Sequence, residues 1–135
     1  MNICGIELKS NNVILSIIQI NDNNVVFINT KIKKLILDDD ENKNSLLKLQ
    51  DELDQFLENN KVEKIALKKR AKKGNFAGGA VTFKTETIIQ LNTSCEVTFI
   101  TSQAINKYSK NNVVEIPDEL NKYQEQAYLS SLLLI

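Results

Sequence analysis

The chain has 135 residues, of which 42% are hydrophobic and 25% are charged. This length supports one domain with a hydrophobic core and is too short for two well-packed domains, so we expect a single domain over residues 1–135. Because 17 basic and 17 acidic residues cancel, the chain has no net charge that would attract nucleic acid or an anionic membrane, and any charged binding surface must be local.

The residue types also exclude several kinds of site. There is no histidine, and Cys4 and Cys95 have no CxxC spacing, which argues against a Cys/His zinc site and a Cys–His nucleophile pair. We expect both thiols to be buried and unlinked. The N-terminal residues lack a basic segment followed by a long apolar run, and no stretch is long enough to cross a bilayer. These features predict a cytoplasmic protein with no membrane partner.

The first half of the chain predicts three strands and a helix. Residues 2–9 alternate with a two-residue period, and Glu7 lies on the less apolar face of that strand. Residues 13–20 and 25–37 predict two more strands, joined through asparagine-rich turns. A helix is predicted for residues 45–60, where leucine and phenylalanine recur at three- and four-residue spacing.

The second half of the chain predicts alternating strands and helices. In chain order, they are a strand at 62–67, a loop at 68–79, a helix from about 80, a strand at 95–100, a short helix to 108 and a last helix from 117. The last helix begins at Pro117, and its predicted buried stripe consists of Leu120, Tyr123, Ala127 and Leu134.

The predicted order is β-β-β-α-β-α-β-α, an α/β fold with a mixed five-stranded sheet and helices on its faces. Its first three strands would be antiparallel, and the last two would be added in parallel. This order resembles that of the ribonuclease-H-like fold, which RuvC-type resolvases, transposases and actin-like ATPases share. The chain is too small for the two-domain cleft of an actin-like ATPase.

The loop between the fourth strand and the next helix is the candidate binding site. Its positive charge comes from Lys68, Lys69, Arg70, Lys72 and Lys73, with Lys84 in the following helix. Gly74, Gly78 and Gly79 would let backbone amides approach an anion at the start of that helix. The glycine spacing matches neither phosphate-loop nor dinucleotide motifs. We therefore predict binding of phosphate in nucleic acid, and the alternative is a solvated basic turn.

The N-terminal segment ICGIELKSNNVILSII resembles the first hairpin of RuvC-like nucleases. The resemblance places Glu7 where the family has a metal-binding aspartate, and makes Glu125 the last-helix acid of a catalytic magnesium or manganese site. Such sites need clustered carboxylates. The family's second acid would fall near Lys68 or Lys69, where a lysine repels a cation, and Glu86 is the candidate substitute. The alternative is that Glu7 is a strand residue paired with a lysine.

Over its whole length the chain also resembles a small bacterial family, domain of unknown function three-thousand-and-ten. The shared features are the CGIELK start, KGNFAGGAVTFK at 73–84 and YQEQA near the end. The resemblances imply a RuvC-like, nuclease-related protein that binds nucleic acid and has degenerate or weak metal-dependent nuclease activity. The alternative is an inactive ribonuclease-H-like module with a protein-interaction or structural role. Whether the chain forms a homodimer stays open.

Overall fold

The structure is a computed structural model, and it describes residues 1–70 and 79–135. These residues form an α/β fold, as predicted. The strands are β1 (Asn2–Lys9), β2 (Asn12–Asn21), β3 (Asn24–Ile28), β4 (Lys34–Ile36), β5 (Val62–Lys68) and β6 (Val97–Ile100). The helices are α1 (Lys43–Asn59), α2 (Ala80–Gln90), α3 (Ser102–Asn111) and α4 (Glu125–Leu132), with a 3-10 turn at Lys122–Gln124.

The strands form one mixed sheet in the order β3-β2-β1-β5-β6, with β4 also paired to β2. The pairs β1–β2, β2–β3 and β2–β4 are antiparallel, whereas β1–β5 and β5–β6 are parallel. The predicted mixture of an antiparallel N-terminal part and parallel additions is therefore confirmed. It places the ends of β1 and β5 side by side.

The predicted strand at 25–37 is instead two strands on the same edge of β2, so the sheet formed by the described residues has six strands rather than five. Local hydrogen bonds explain the interruption between them. Thr30 Oγ1 donates to the Ile32 carbonyl over 2.7 Å, and Lys33 Nζ donates to the Thr30 carbonyl over 3.0 Å. These bonds satisfy polar groups within the turn and offer the backbone an alternative to the ladder.

Helices cover both faces of the sheet, and the alternation within each strand decides which residues face which layer. Cys4 and Ile6 of β1 belong to a core cluster that includes buried residues of α1 and α2. Ile3 of β1 and Ala66 of β5 belong to a second cluster with residues of α3 and α4. Gly5 and Glu7 alternate with Cys4 and Ile6, so they face the α4 side.

The last helix begins later than predicted. Residues 117–120 form a turn, and α4 starts at Glu125. The Asn121 backbone N–H donates to Gln124 Oε1 over 3.0 Å, a capping interaction that starts the helical turn there. Leu120 and Ala127 are buried as predicted, whereas Tyr123 is exposed and does not belong to the buried stripe. Gln124, which is fully buried, instead donates from Nε2 to the Leu15 carbonyl over 2.9 Å.

The two cysteines are free, as predicted, but only one is fully buried. Cys4 lies inside β1, and burial raises the pKa of its thiol far above its ordinary value. Cys95 precedes β6 rather than lying within it and is half-buried. No helix in the described ranges is both long and apolar enough to cross a membrane.

Candidate functional site

Glu7 and Lys68 form the centre of the candidate site. In the parallel β1–β5 pair, Gly5 lies opposite Ala66 and Ile6 opposite Leu67, so the next residues, Glu7 and Lys68, share a face of the sheet. Lys68 Nζ donates to Glu7 Oε2 over 3.2 Å, and the side chains are only 21% and 8% exposed, respectively. The arrangement is a largely buried ion pair, as the alternative interpretation of Glu7 anticipated.

The other oxygen of the Glu7 carboxylate, Oε1, is buried and has no hydrogen-bond partner among the described residues. Ser16 Oγ is also buried without a hydrogen-bond partner among the described residues. Ser16 lies opposite Gly5 on the α4 side of the sheet. A buried carboxylate with few hydrogen bonds depends on a nearby positive charge. The Lys68 ammonium is therefore the group that compensates Glu7.

Arg70 is held by α2 rather than presented to solvent. Its guanidinium carbon lies 3.4 Å from the centre of the Phe83 ring, a cation–π contact. Its Nε is 3.2 Å from Glu86 Oε2, although the angles do not make a hydrogen bond, and the Arg70 side chain is 13% exposed. Glu86, the candidate substitute acid, is thus paired with Arg70.

Lys84 is also paired. Its Nζ donates to the Asp40 carbonyl over 2.8 Å and to Asp40 Oδ2 over 3.1 Å. Asp40 belongs to the acidic run before α1, so this contact links that run to α2. The pair is partly exposed, and its contribution to stability is therefore modest.

The remaining predicted loop residues include Lys69 and Gly79. The Lys69 backbone N–H donates to the Ile100 carbonyl over 2.7 Å, and its side chain is half-buried. Gly79 is the N-cap residue of α2 and has extended backbone angles. Lys72, Lys73, Gly74 and Gly78 lie outside the described residues. Of the predicted phosphate-binding set, Lys68, Arg70 and Lys84 are therefore already paired with acids.

Glu125 lies in the first turn of α4. It is half-buried and lines an open groove of about 630 Å³ that also includes Lys9 and Gln126. The described part of the chain contains no group of three His, Cys, Asp or Glu side chains placed to hold a metal ion. Residues 71–78, AKKGNFAG, contain none of these types.

A family model matches residues 1–133 and is described as a protein of unknown function (DUF3010). The chain belongs to this family. No match was found among curated proteins.

Solved structures identify the fold of this DUF3010 protein. Thermus thermophilus RuvC matches with a TM-score of 0.69 at 10% identity, over 98% of this chain and 92% of RuvC. The same RuvC in complex with Holliday junction substrate matches with a TM-score of 0.70 at 10% identity, over 98% and 91% of the two chains. Fowlpox virus resolvase with Holliday junction DNA gives 0.54 at 14%, over 99% and 93%. The DUF3010 chain therefore has the RuvC-like, ribonuclease-H-like fold.

The described residues do not fit the divalent-metal site implied by this fold. A cation on Glu7 would have to share the carboxylate with the Lys68 ammonium, which is 3.2 Å from Oε2, and like charges at such distances repel strongly away from bulk water. Glu86 is paired with Arg70. Within residues 1–70 and 79–135, no three His, Cys, Asp or Glu side chains cluster to provide the carboxylates that two hard cations need.

The sequence did not reveal the partners of the basic residues. Arg70 contacts Phe83 and Glu86, and Lys84 contacts Asp40. The sequence also did not reveal the buried amide of Gln124. For the Glu7–Lys68 pair, the register of the parallel β1–β5 pairing decides the contact, because it places Glu7, two residues before the end of β1, beside Lys68, the last residue of β5. For Asp40 and Lys84, separated by 44 positions, no local pattern predicts contact.

Proposed function

We propose that this DUF3010 protein binds nucleic acid, with a preference for branched DNA, and does not cleave it or cleaves it only very slowly. Its fold over nearly the whole chain is that of RuvC, including RuvC bound to a Holliday junction, which supports branched DNA as the ligand class. The observation that carries the loss of cleavage is the Glu7–Lys68 ion pair.

The charge beside Glu7 disfavours cleavage. Two-metal hydrolysis of a phosphodiester requires carboxylates that hold both cations beside the attacking and leaving oxygens. Here the Lys68 ammonium provides one positive charge beside Glu7, and this charge balances the carboxylate. An ammonium can neither lower the pKa of a bound water as a metal does nor coordinate two oxygens of a phosphate. This favours binding without turnover.

The basic segment at the end of β5, residues 68–73, supports binding of phosphate groups. Lys68, Arg70 and Lys84 are engaged by Glu7, Glu86 and Asp40, so we assign phosphate contacts to the remaining basic residues, Lys69, Lys72 and Lys73. Lysines that contact phosphates release condensed counterions, which makes affinity fall as salt rises. Weak, salt-sensitive binding is the expected behaviour.

Replacing Lys72 and Lys73 together with alanine is expected to weaken binding to a four-way DNA junction about tenfold. The slope of log affinity against log salt should become shallower by about 1.8, since each phosphate contact contributes about 0.9. Fluorescence anisotropy with labelled junction, single-stranded and duplex DNA over a salt series measures both quantities. Lys107→Ala with Lys110→Ala on α3 removes the same charge from exposed positions and is the matched control.

Equal losses in the two double variants would show only a nonspecific charge effect and would contradict a binding role for this segment. If the wild type shows no salt-dependent binding to any of the three DNA forms, the nucleic-acid proposal fails.

Lys68→Glu is expected to give the protein a response to divalent cations that the wild type lacks. Two adjacent carboxylates repel each other unless a cation lies between them, and a ligand that binds only the folded state stabilises it. Millimolar magnesium or manganese should raise the melting temperature of Lys68→Glu by about 4 °C and leave the wild type unchanged. Differential scanning fluorimetry measures this shift, and Glu7→Gln added to Lys68→Glu should remove most of it. If the same ions also stabilise the wild type, this would contradict the proposal that the Lys68 ammonium takes the place of a metal ion beside Glu7.

A further inference from the structure

The outer edge of β3 is open. β3 is antiparallel to β2 along Asn24–Ile28, and no backbone hydrogen bond joins its other side to a described residue. Its sequence, NVVFI, contains no charge and no proline. Native sheets usually protect such edges with charged residues, proline, bulges or a covering segment. An unprotected edge of this kind is a template for strand addition.

An apolar surface lies beside this edge. Val25 and Val26 of β3, together with Val113 and Ile116 of the segment after α3, are all exposed, Val113 to 99%. They line one open groove of about 720 Å³, whose floor includes Phe27 packed edge-on against Tyr128. Single exposed apolar side chains are ordinary, but a contiguous group beside an open edge is typical of an interaction site.

The charge around the groove has one sign. Glu115, Asp118 and Glu119 line it, whereas none of its described lining residues is basic. Glu119 Oε2 accepts a hydrogen bond from Asn29 Nδ2 over 2.9 Å, which fixes one of these carboxylates next to the end of β3. A ligand of this groove therefore gains from apolar and positively charged side chains.

We propose that β3 and this groove bind an extended segment of a partner protein in which apolar and basic residues alternate. The segment adds to the sheet as an edge strand, so that its backbone bonds β3. Successive side chains of the added strand point to opposite faces of the sheet, so its apolar side chains contact Val26 on one face. Its basic side chains contact Glu115 and Asp118 in the groove on the other face, where Phe27 packs against Tyr128. Two strands, β2 and β1, separate β3 from β5, so this site is distinct from the proposed nucleic-acid surface and does not depend on it.

The test uses a short labelled peptide that alternates valine and lysine, with a valine–glutamate peptide as the charge control. We expect the lysine peptide to bind the wild type measurably and the glutamate peptide at least about tenfold more weakly. Val26→Lys should weaken lysine-peptide binding about tenfold, because a like charge then stands on the edge strand. Leu47→Lys, at a similarly exposed apolar position on α1, is the matched control and should bind as the wild type does.

Three results would overturn the proposal. These are equal binding of both peptides, unchanged binding by Val26→Lys, and undiminished binding of a lysine peptide whose backbone nitrogens are methylated and cannot donate to β3. Sedimentation that shows a wild-type dimer dissociated by Val26→Lys would assign the edge to a second copy of this chain instead. Thermal melting confirms that each variant is folded, and DNA binding should be unchanged in Val26→Lys.

Discussion

Replacing Lys68 with methionine is expected to lower the free energy of unfolding by about 3 kcal/mol. Methionine keeps much of the length of the side chain but removes the ammonium, which leaves the Glu7 carboxylate buried without its cation. Glu7 Oε1 already has no hydrogen-bond partner among the described residues, so none of them is placed to take over from the Lys68 ammonium. Urea denaturation followed by circular dichroism measures the change through a lower midpoint at unchanged slope.

Two control variants make this measurement specific. Lys64→Met, at an exposed position in the same strand, should change stability by less than about 0.5 kcal/mol. Glu7→Met combined with Lys68→Met removes both charges and should recover most of the loss, because replacing a whole buried pair with apolar side chains is often neutral. If Lys68→Met is no worse than Lys64→Met, Glu7 is not compensated by Lys68, and the charge argument against cleavage loses its basis.

Periodicity predicted most of the fold because apolar spacing reports directly on which face of an element is buried. The two-residue alternation of residues 2–9 became β1, and the helical spacing of residues 45–60 became α1. Prediction failed where local hydrogen bonds competed with the pattern. Thr30 and Lys33 interrupt the third predicted strand, and the Asn121–Gln124 cap delays the last helix.

The candidate site was predicted less well, because counting charges does not reveal their partners. The basic segment was recognisable from its sequence, yet three of its cations are paired with Glu7, Glu86 and Asp40. Two of those acids come from elements distant in sequence. Only the sheet register and the packing of α2 bring them within reach, and neither follows from composition. Glu7 could be placed on β1 from the sequence, but its role depends on the residue beside it on β5.

Gly5 is the second position where a small change is expected to have a large effect. A Cβ there would overlap the Ala127 carbonyl oxygen, and it would lie 2.7 Å from the Ala127 carbonyl carbon and 3.2 Å from Ser131 Cβ. Backbone atoms of α4 cannot rotate away, so the helix must move off β1. We therefore expect Gly5→Ala to lower the free energy of unfolding by about 3 kcal/mol, the upper end for overpacking a core.

Gly79→Ala is the matched control, because a Cβ at Gly79 meets no atom of the described residues within 4 Å. Its cost should stay below about 1 kcal/mol, the usual penalty for placing alanine at a helix N-cap. Both variants are compared with the wild type by urea denaturation. Displacement of α4 in Gly5→Ala should also break the bond from Gln124 to the Leu15 carbonyl, so hydrogen exchange at α4 should accelerate more than global unfolding alone explains. If Gly5→Ala and Gly79→Ala have the same free energy of unfolding, α4 does not pack against β1 as closely as the structure shows. The close contact with α4 would then not explain why β1 has a glycine at position 5, two residues before Glu7.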